Sequence, residues 1–176
     1  MSGRAPGFSL VEVMVALIVM SVGLLGVAKM QAAALSNTAI ASTRSLAAIE
    51  ASSLASSMHA NRGYWSSPGV ATTIALSGTT VTPNVAPFTD CVAMTCPPAA
   101  LAAYDLQKWT GEALEVLPPD YLATITCTPT DTPPNCTIQI QWAEKSVSVN
   151  KDGQTKAATD TSLALNRPKY ELYVEP

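Results

Sequence analysis

The stretch that most constrains this chain is GFSLVEVMVALIVMSVGLLGVA, from Gly7 through Phe8 to Ala28. From Phe8 onward it holds about twenty apolar or small residues, and a helix of that length is roughly 30 Å long, the thickness of a bilayer's hydrocarbon core. The run reads as a membrane-spanning helix. It contains a single charge, Glu12, near its N-terminal end. A carboxylate at full depth in hydrocarbon costs on the order of 3 kcal/mol, so the position calls for compensation, whereas at the headgroup level it costs little.

The segment before the run, MSGRAPG, is polar, carries one Arg and has no apolar region of its own. An ordinary secretory signal would place a small-residue cleavage site after the apolar core, which Gly26 and Ala28 offer only weakly. A plain anchor accounts neither for the placement of Glu12 nor for the Gly7-Phe8 junction.

Gly7, Phe8, Ser9, Leu10, Val11 and Glu12, with a basic leader before them and a long apolar helix after, resemble the processing motif of type IV pilins and type II secretion pseudopilins. The resemblance implies that a prepilin peptidase cuts between Gly7 and Phe8, that the new Phe8 amine is N-methylated, and that the anchor is kept. Family pilins usually have Thr where this chain has Ser9. The positive amine of Phe8, one turn from Glu12, or that of a neighbour in a helix bundle, would offset the desolvation of the carboxylate. Glu12 would then be an assembly contact. The implied organisation is a leader at 1–7, a transmembrane half of the first helix at 8–28, an amphipathic half at 29–62, and a periplasmic globular head at 63–176.

With 176 residues, the chain retains enough beyond leader and anchor for one modest core. A net charge of −3 and only 13% charged residues leave no electrostatic footprint for nucleic acid. Cys91, Cys96, Cys127 and Cys136 all follow the anchor, as expected on the oxidising side of a membrane. Three pairings are open. Cys91 with Cys96 and Cys127 with Cys136 are favoured, because each pair is close in sequence and brackets turn-forming residues. A zinc site would need C-x-x-C spacing or nearby histidines, but His59 stands alone and reads as an exposed helix-end residue, so no metal is expected. Arg4 ahead of the span, with no basic cluster after Ala28, favours a cytoplasmic N-terminus in the inner membrane.

Between Lys29 and Met58 there is neither Pro nor Gly, and the Ala-rich pattern predicts that the helix continues, about fifty residues in all. Leu35, Ala39, Leu46, Ile49 and Met58 form the expected buried stripe, with Asn37, Arg44 and Glu50 facing solvent. Asn61, Arg62 and Gly63 then end the helix, with Gly63 the expected C-terminal cap. Within the span, Gly23 and Gly26 serve either as weak points or as close-packing positions. Residues 64–98 read as a Ser-, Thr-, Gly- and Pro-rich connection with room for one short strand, and by resemblance as a contact surface.

Pro97 and Pro98 introduce a second helix from about Ala99 to Leu117, ended by Pro118. Its apolar face is Leu101, Tyr104, Leu106, Trp109, Ala113, Leu114 and Leu117, and its solvated face Asp105, Lys108, Glu112 and Glu115. Asp105, Leu106, Trp109, Leu114, Leu117 and Pro118 are similar to the corresponding segment of minor pilins of the PilV type. Alternation of Tyr121, Ala123, Ile125 and Cys127, then of Ile138, Ile140 and Trp142, predicts a β-hairpin around PTDTPPNC. Val147 and Val149 extend its second strand, and Lys151, Asp152 and Gly153 mark a turn. Tyr170, Leu172 and Val174 alternate in a terminal or edge strand. The expected fold is α+β: a long N-terminal helix packed on a small antiparallel sheet, with a second short helix.

No G-x-S-x-G, phosphate-binding Gly loop or Cys-His pair is present, which argues against an enzyme, and no cofactor is expected. The resemblance implies a minor pilin that primes type IV pilus assembly and lies at the tip. Its partners would be the prepilin peptidase, other minor pilins, the major pilin, a tip adhesin and the inner membrane before the pilus. The alternative is a minor pseudopilin of type II secretion, and a third reading is a membrane-anchored periplasmic enzyme.

Overall fold

The computed structural model describes residues 7, 9–118, 120–144 and 167–176. Phe8, Pro119, most of the leader, and the expected Val147, Val149 and Lys151-Asp152-Gly153 features lie outside the described residues. The first helix, α1, runs Leu10–Ala60 and is followed by a one-turn helix, α2, at Arg62–Trp65. The chain divides into two compact units, Met1–Ala39 and Ile40–Pro176.

In the second unit five strands form one antiparallel sheet: β1 at Thr73–Ser77, β2 at Thr80–Thr82, β3 at Leu122–Thr128, β4 at Asn135–Gln141 and β5 at Lys169–Val174. Their order is β2-β1-β3-β4-β5. The fold is therefore α+β, with the C-terminal part of α1 packed on the sheet through a shared core. Sheet side chains Ile74, Leu76, Ala123, Ile125, Ile138 and Ile140 all point into it, as period-two alternation requires. They meet Ala47, Ala51, Leu54, Ala55 and Met58 of α1.

That seam differs from the expected stripe. Leu35 is 73% exposed and Ile49 60% exposed, and Ala39 is also exposed. Positions 47, 51, 54, 55 and 58 are the i, i+4, i+7, i+8, i+11 set of one helical face, and three of the five are alanine. Of the expected stripe, Met58 is buried in this face and Leu46 packs half-buried against it, while the alanines that complete it carry little signal of size. Arg44 is exposed, as expected, and its Nη2 also lies 3.2 Å from Oε2 of Glu144, a buried carboxylate.

Two further departures concern the connection after α1. α1 stops just before Asn61, as expected, but Gly63 does not cap it and sits inside α2. Asn61 donates its backbone N–H to the carbonyls of Ser57 and Met58, and its Nδ2 donates to the carbonyl of Pro98 at 2.8 Å. The region read as mostly loop holds a hairpin, β1 with β2, closed by Gly78-Thr79. Gly78 has φ +55°, a conformation open to glycine without a Cβ clash and suited to a two-residue hairpin turn.

The second helix starts at Pro98, where a missing N–H is harmless, and α3 runs Pro98–Lys108. It does not continue as α-helix to Leu117. The winding loosens into a π turn at Trp109–Ala113 and tightens to a 3₁₀ turn at Leu114–Val116 before Pro118. Leu106, Trp109, Leu114 and Leu117 are buried in the core, while Lys108 pairs with Glu112 at 2.6 Å on the exposed side.

Candidate processing site and membrane anchor

The first turn of α1 is built on Ser9, whose carbonyl accepts the N–H groups of Glu12 at 3.0 Å and Val13 at 3.4 Å. Ser9 thus occupies the N-cap position and Glu12 the third helical position, the S-x-x-E spacing of a capping box. That spacing is the sequence signal for a helix start at Ser9. An acid in the first turn also faces the positive end of the helix dipole. Gly7, two residues before the cap, is exposed, and a Cβ built there meets no atom within 4 Å. Glu12 is likewise exposed. Phe8, the other half of the expected cleavage junction, is outside the described residues, so Gly7 and, from Ser9 to Glu12, the rest of the motif are what the structure places.

Beyond the first turn, Leu17, Ile18, Val19 and Met20 are consecutive and all exposed, so with 3.6 residues per turn they present apolar side chains in every direction. The same holds from Leu10 to Val27. A helix apolar on all sides requires either a large protein core or lipid around it, and none of this stretch is buried within the chain. By length and composition it can cross a membrane. Its one hydroxyl group, on Ser21, is satisfied internally by donating to the carbonyl of Leu17 at 2.6 Å. The helix is unbroken at Gly23 and Gly26, where an added Cβ would meet open space in this chain.

The cysteines lie apart from this site, in the second unit. Cys91 is bonded to Cys96, and Cys127 to Cys136. Cys127 and Cys136 are directly opposite on β3 and β4, with Cα atoms 4.0 Å apart, and both are buried on the core face. The Cys127 N–H donates away from β4, to the carbonyl of Thr72 at 2.9 Å, which makes Cys127 and Cys136 a narrow, non-hydrogen-bonded pair. The Cys91–Cys96 bridge instead closes an exposed loop that carries Val92 and Met94. Among the described residues no group of three or more His, Cys, Asp or Glu side chains is arranged to hold a metal ion.

The prokaryotic N-terminal methylation motif matches residues 4–28. This is the leader motif of type IV pilins and pseudopilins, and its match supports that class for this chain. It takes in the end of the expected leader from Arg4 to Gly7, the Gly7-Phe8 junction, Glu12 and the apolar part of α1 as far as Ala28. Neither the curated proteins nor the solved structures gave a match.

Proposed function

We propose that this chain is a minor pilin of the PilV type, which joins other minor pilins to prime type IV pilus assembly and takes a place at the pilus tip. The observation that carries the reading is a methylation motif at 4–28 set directly ahead of a helix that is apolar around its whole circumference. In this reading the prepilin peptidase cuts between Gly7 and Phe8, where the chain around Gly7 is open, and methylates the Phe8 amine. The helix then sits in the inner membrane, with the N-terminus cytoplasmic and the second unit periplasmic. On assembly it exchanges lipid for neighbouring helices, so the same apolar surface stays out of water before and after. Glu12 pairs with a Phe8 amine, its own or a neighbour's, and this sets the register of the bundle. The head contributes contacts to other minor pilins, the major pilin and a tip adhesin, and it catalyses no reaction.

Intact-mass analysis of the membrane-extracted protein tests the processing step. Loss of Met1 to Gly7 with gain of one methyl group is the expected result, whereas a chain beginning near Ala28 would overturn it. Glu12→Ala is expected to abolish incorporation into filaments. A minor pseudopilin of type II secretion shares the motif and the anchor, and deletion separates the two: loss of pili supports the proposal, loss of secretion the alternative.

A further inference from the structure

The β3-β4 hairpin carries more chain at its tip than its closure needs. The ladder ends with Thr128 opposite Asn135, and the buried Cys127–Cys136 bridge lies one pair inside that end. Two residues commonly suffice to join such strands, yet here the run from Pro129 to Pro134 stands between them. None of this run is buried, so it adds nothing to the core. Pro129, Pro133 and Pro134 lack the N–H that strand pairing requires. An exposed connection longer than closure demands is where function concentrates. The tip is also remote from the residues outside the described set: Glu144 and Arg167 adjoin the Gln141-Lys169 end of the ladder, about 20 Å away along β4.

The polar groups of the tip divide into two sets. The Thr128 hydroxyl donates to the Asn135 carbonyl at 3.4 Å, the Asp131 N–H to the Thr128 carbonyl at 3.2 Å, and the Asn135 side chain to the Asp131 carboxylate at 3.1 Å. Asp131 is thereby tied to both strands. Thr130 and Thr132 flank it, both are exposed, and among the described residues their hydroxyls make no hydrogen bond. By contrast, the exposed hydroxyls of Ser45, Ser52 and Ser56 are all turned back onto carbonyls of α1.

We propose that Thr130 and Thr132 are O-glycosylation sites, modified by a separate membrane-bound transferase. Threonine interleaved with proline, as in Pro129-Thr130-Asp131-Thr132-Pro133, is the composition that carries O-linked sugars. Phosphate on either hydroxyl would set like charge beside Asp131, whereas a neutral sugar would not. Asn135 heads an Asn-Cys-Thr sequence of the N-linked pattern, but its amide is engaged by Asp131 and Cys136 is bridged. In the transfer the threonine Oγ1 bonds to the anomeric carbon of the donor sugar. The bond from that carbon to the diphosphate breaks with its electron pair, and the hydroxyl proton passes to the transferase's base. The donor is a polyprenyl diphosphate sugar, because nucleotide sugars are cytosolic; this choice rests on the periplasmic placement proposed above. The Cys127–Cys136 bridge holds the neck closed beneath the added bulk.

Mass mapping of the reduced, alkylated tryptic peptide from Trp109 to Lys145, taken from the chain in its native membranes, tests the assignment. A sugar increment on both threonines in most copies is expected. Thr130→Val and Thr132→Val should each remove one increment and the double variant both, with unchanged circular dichroism. Thr126→Val, exposed on β3 within the same peptide, should remove none. The peptide at its unmodified mass would overturn the proposal, as would phosphate on either threonine or sugar on Asn135 or Thr126. Protease added to spheroplasts reads the side of the membrane separately. Sugar on a head that the protease cannot reach would overturn the lipid-linked donor and leave the two acceptors standing.

Discussion

Trp109 donates its indole N–H to the backbone carbonyl of Glu50 at 2.9 Å, hooking the π turn onto the middle of the covered segment of α1. The carbonyl also accepts the Ser53 hydroxyl, and the Trp109 ring is buried in the core.

Replacing Trp109 therefore tests the attachment. Trp109→Ala should destabilise the second unit by about 3–5 kcal/mol through lost volume and the lost bond. Trp109→Phe keeps most of the ring and should cost roughly 1–2 kcal/mol. Denaturant midpoints, followed by near-ultraviolet circular dichroism, would measure both.

The alanine seam predicts an inversion of the usual rule about size. Ala51 is fully buried against the sheet, so Ala51→Leu should destabilise by about 1–3 kcal/mol through overpacking. Ile49, large but exposed, should tolerate Ile49→Ala within about 0.5 kcal/mol. Equal effects of the two substitutions in thermal melts would show that the seam is misassigned.

The two disulfides should separate on reduction. Cys127 and Cys136 are buried in the core, whereas Cys91 and Cys96 are half-exposed in a surface loop. Mild reductant followed by alkylation and peptide mass mapping should label Cys91 and Cys96 first, with Cys127 and Cys136 labelled only as the fold opens. Replacing the Cys127–Cys136 pair by alanines should cost roughly 2–3 kcal/mol, given the short loop it closes.

Partial burial on α3 raises the pKa of Asp105 above its ordinary value. A raised folded-state pKa in an acid means the folded state binds the proton more tightly than the unfolded chain. The resulting penalty is absent below the ordinary carboxylate pKa and sets in as pH rises through the folded-state value. Asp105→Asn should accordingly raise Tm at neutral pH, and that gain should vanish in acid, below the ordinary carboxylate pKa, in a pH series of thermal melts.

How far the sequence reached depended on which physical signal carried each element. The β3-β4 hairpin was legible because Ala123, Ile125, Ile138 and Ile140 alternate cleanly with polar residues. The anchor was legible because length and apolarity suffice to recognise it. The β1-β2 hairpin was hidden because Thr73, Thr80 and Thr82 lend it the polarity of a loop, although Ile74 and Leu76 alternate and Gly78 marks the turn. The covered face of α1 was legible only in part: Leu46 and Met58 lie on it, but the alanines at 47, 51 and 55 that complete it carry little signal of burial. The π turn was not legible at all, since the apolar spacing of Trp109, Leu114 and Leu117 is compatible with several windings. At the site, Gly7 and Glu12 stood out as residue types, while the cap made by Ser9 is a matter of spacing.

The unbroken apolar circumference from Leu10 to Val27 leaves the helix without a preferred bearing. Turned about its own long axis in lipid, it meets the same solvent at every angle, so the bilayer exerts almost no torque on it. Its one ionisable side chain is Glu12. In lipid, that charge is what tells one side of this helix from another.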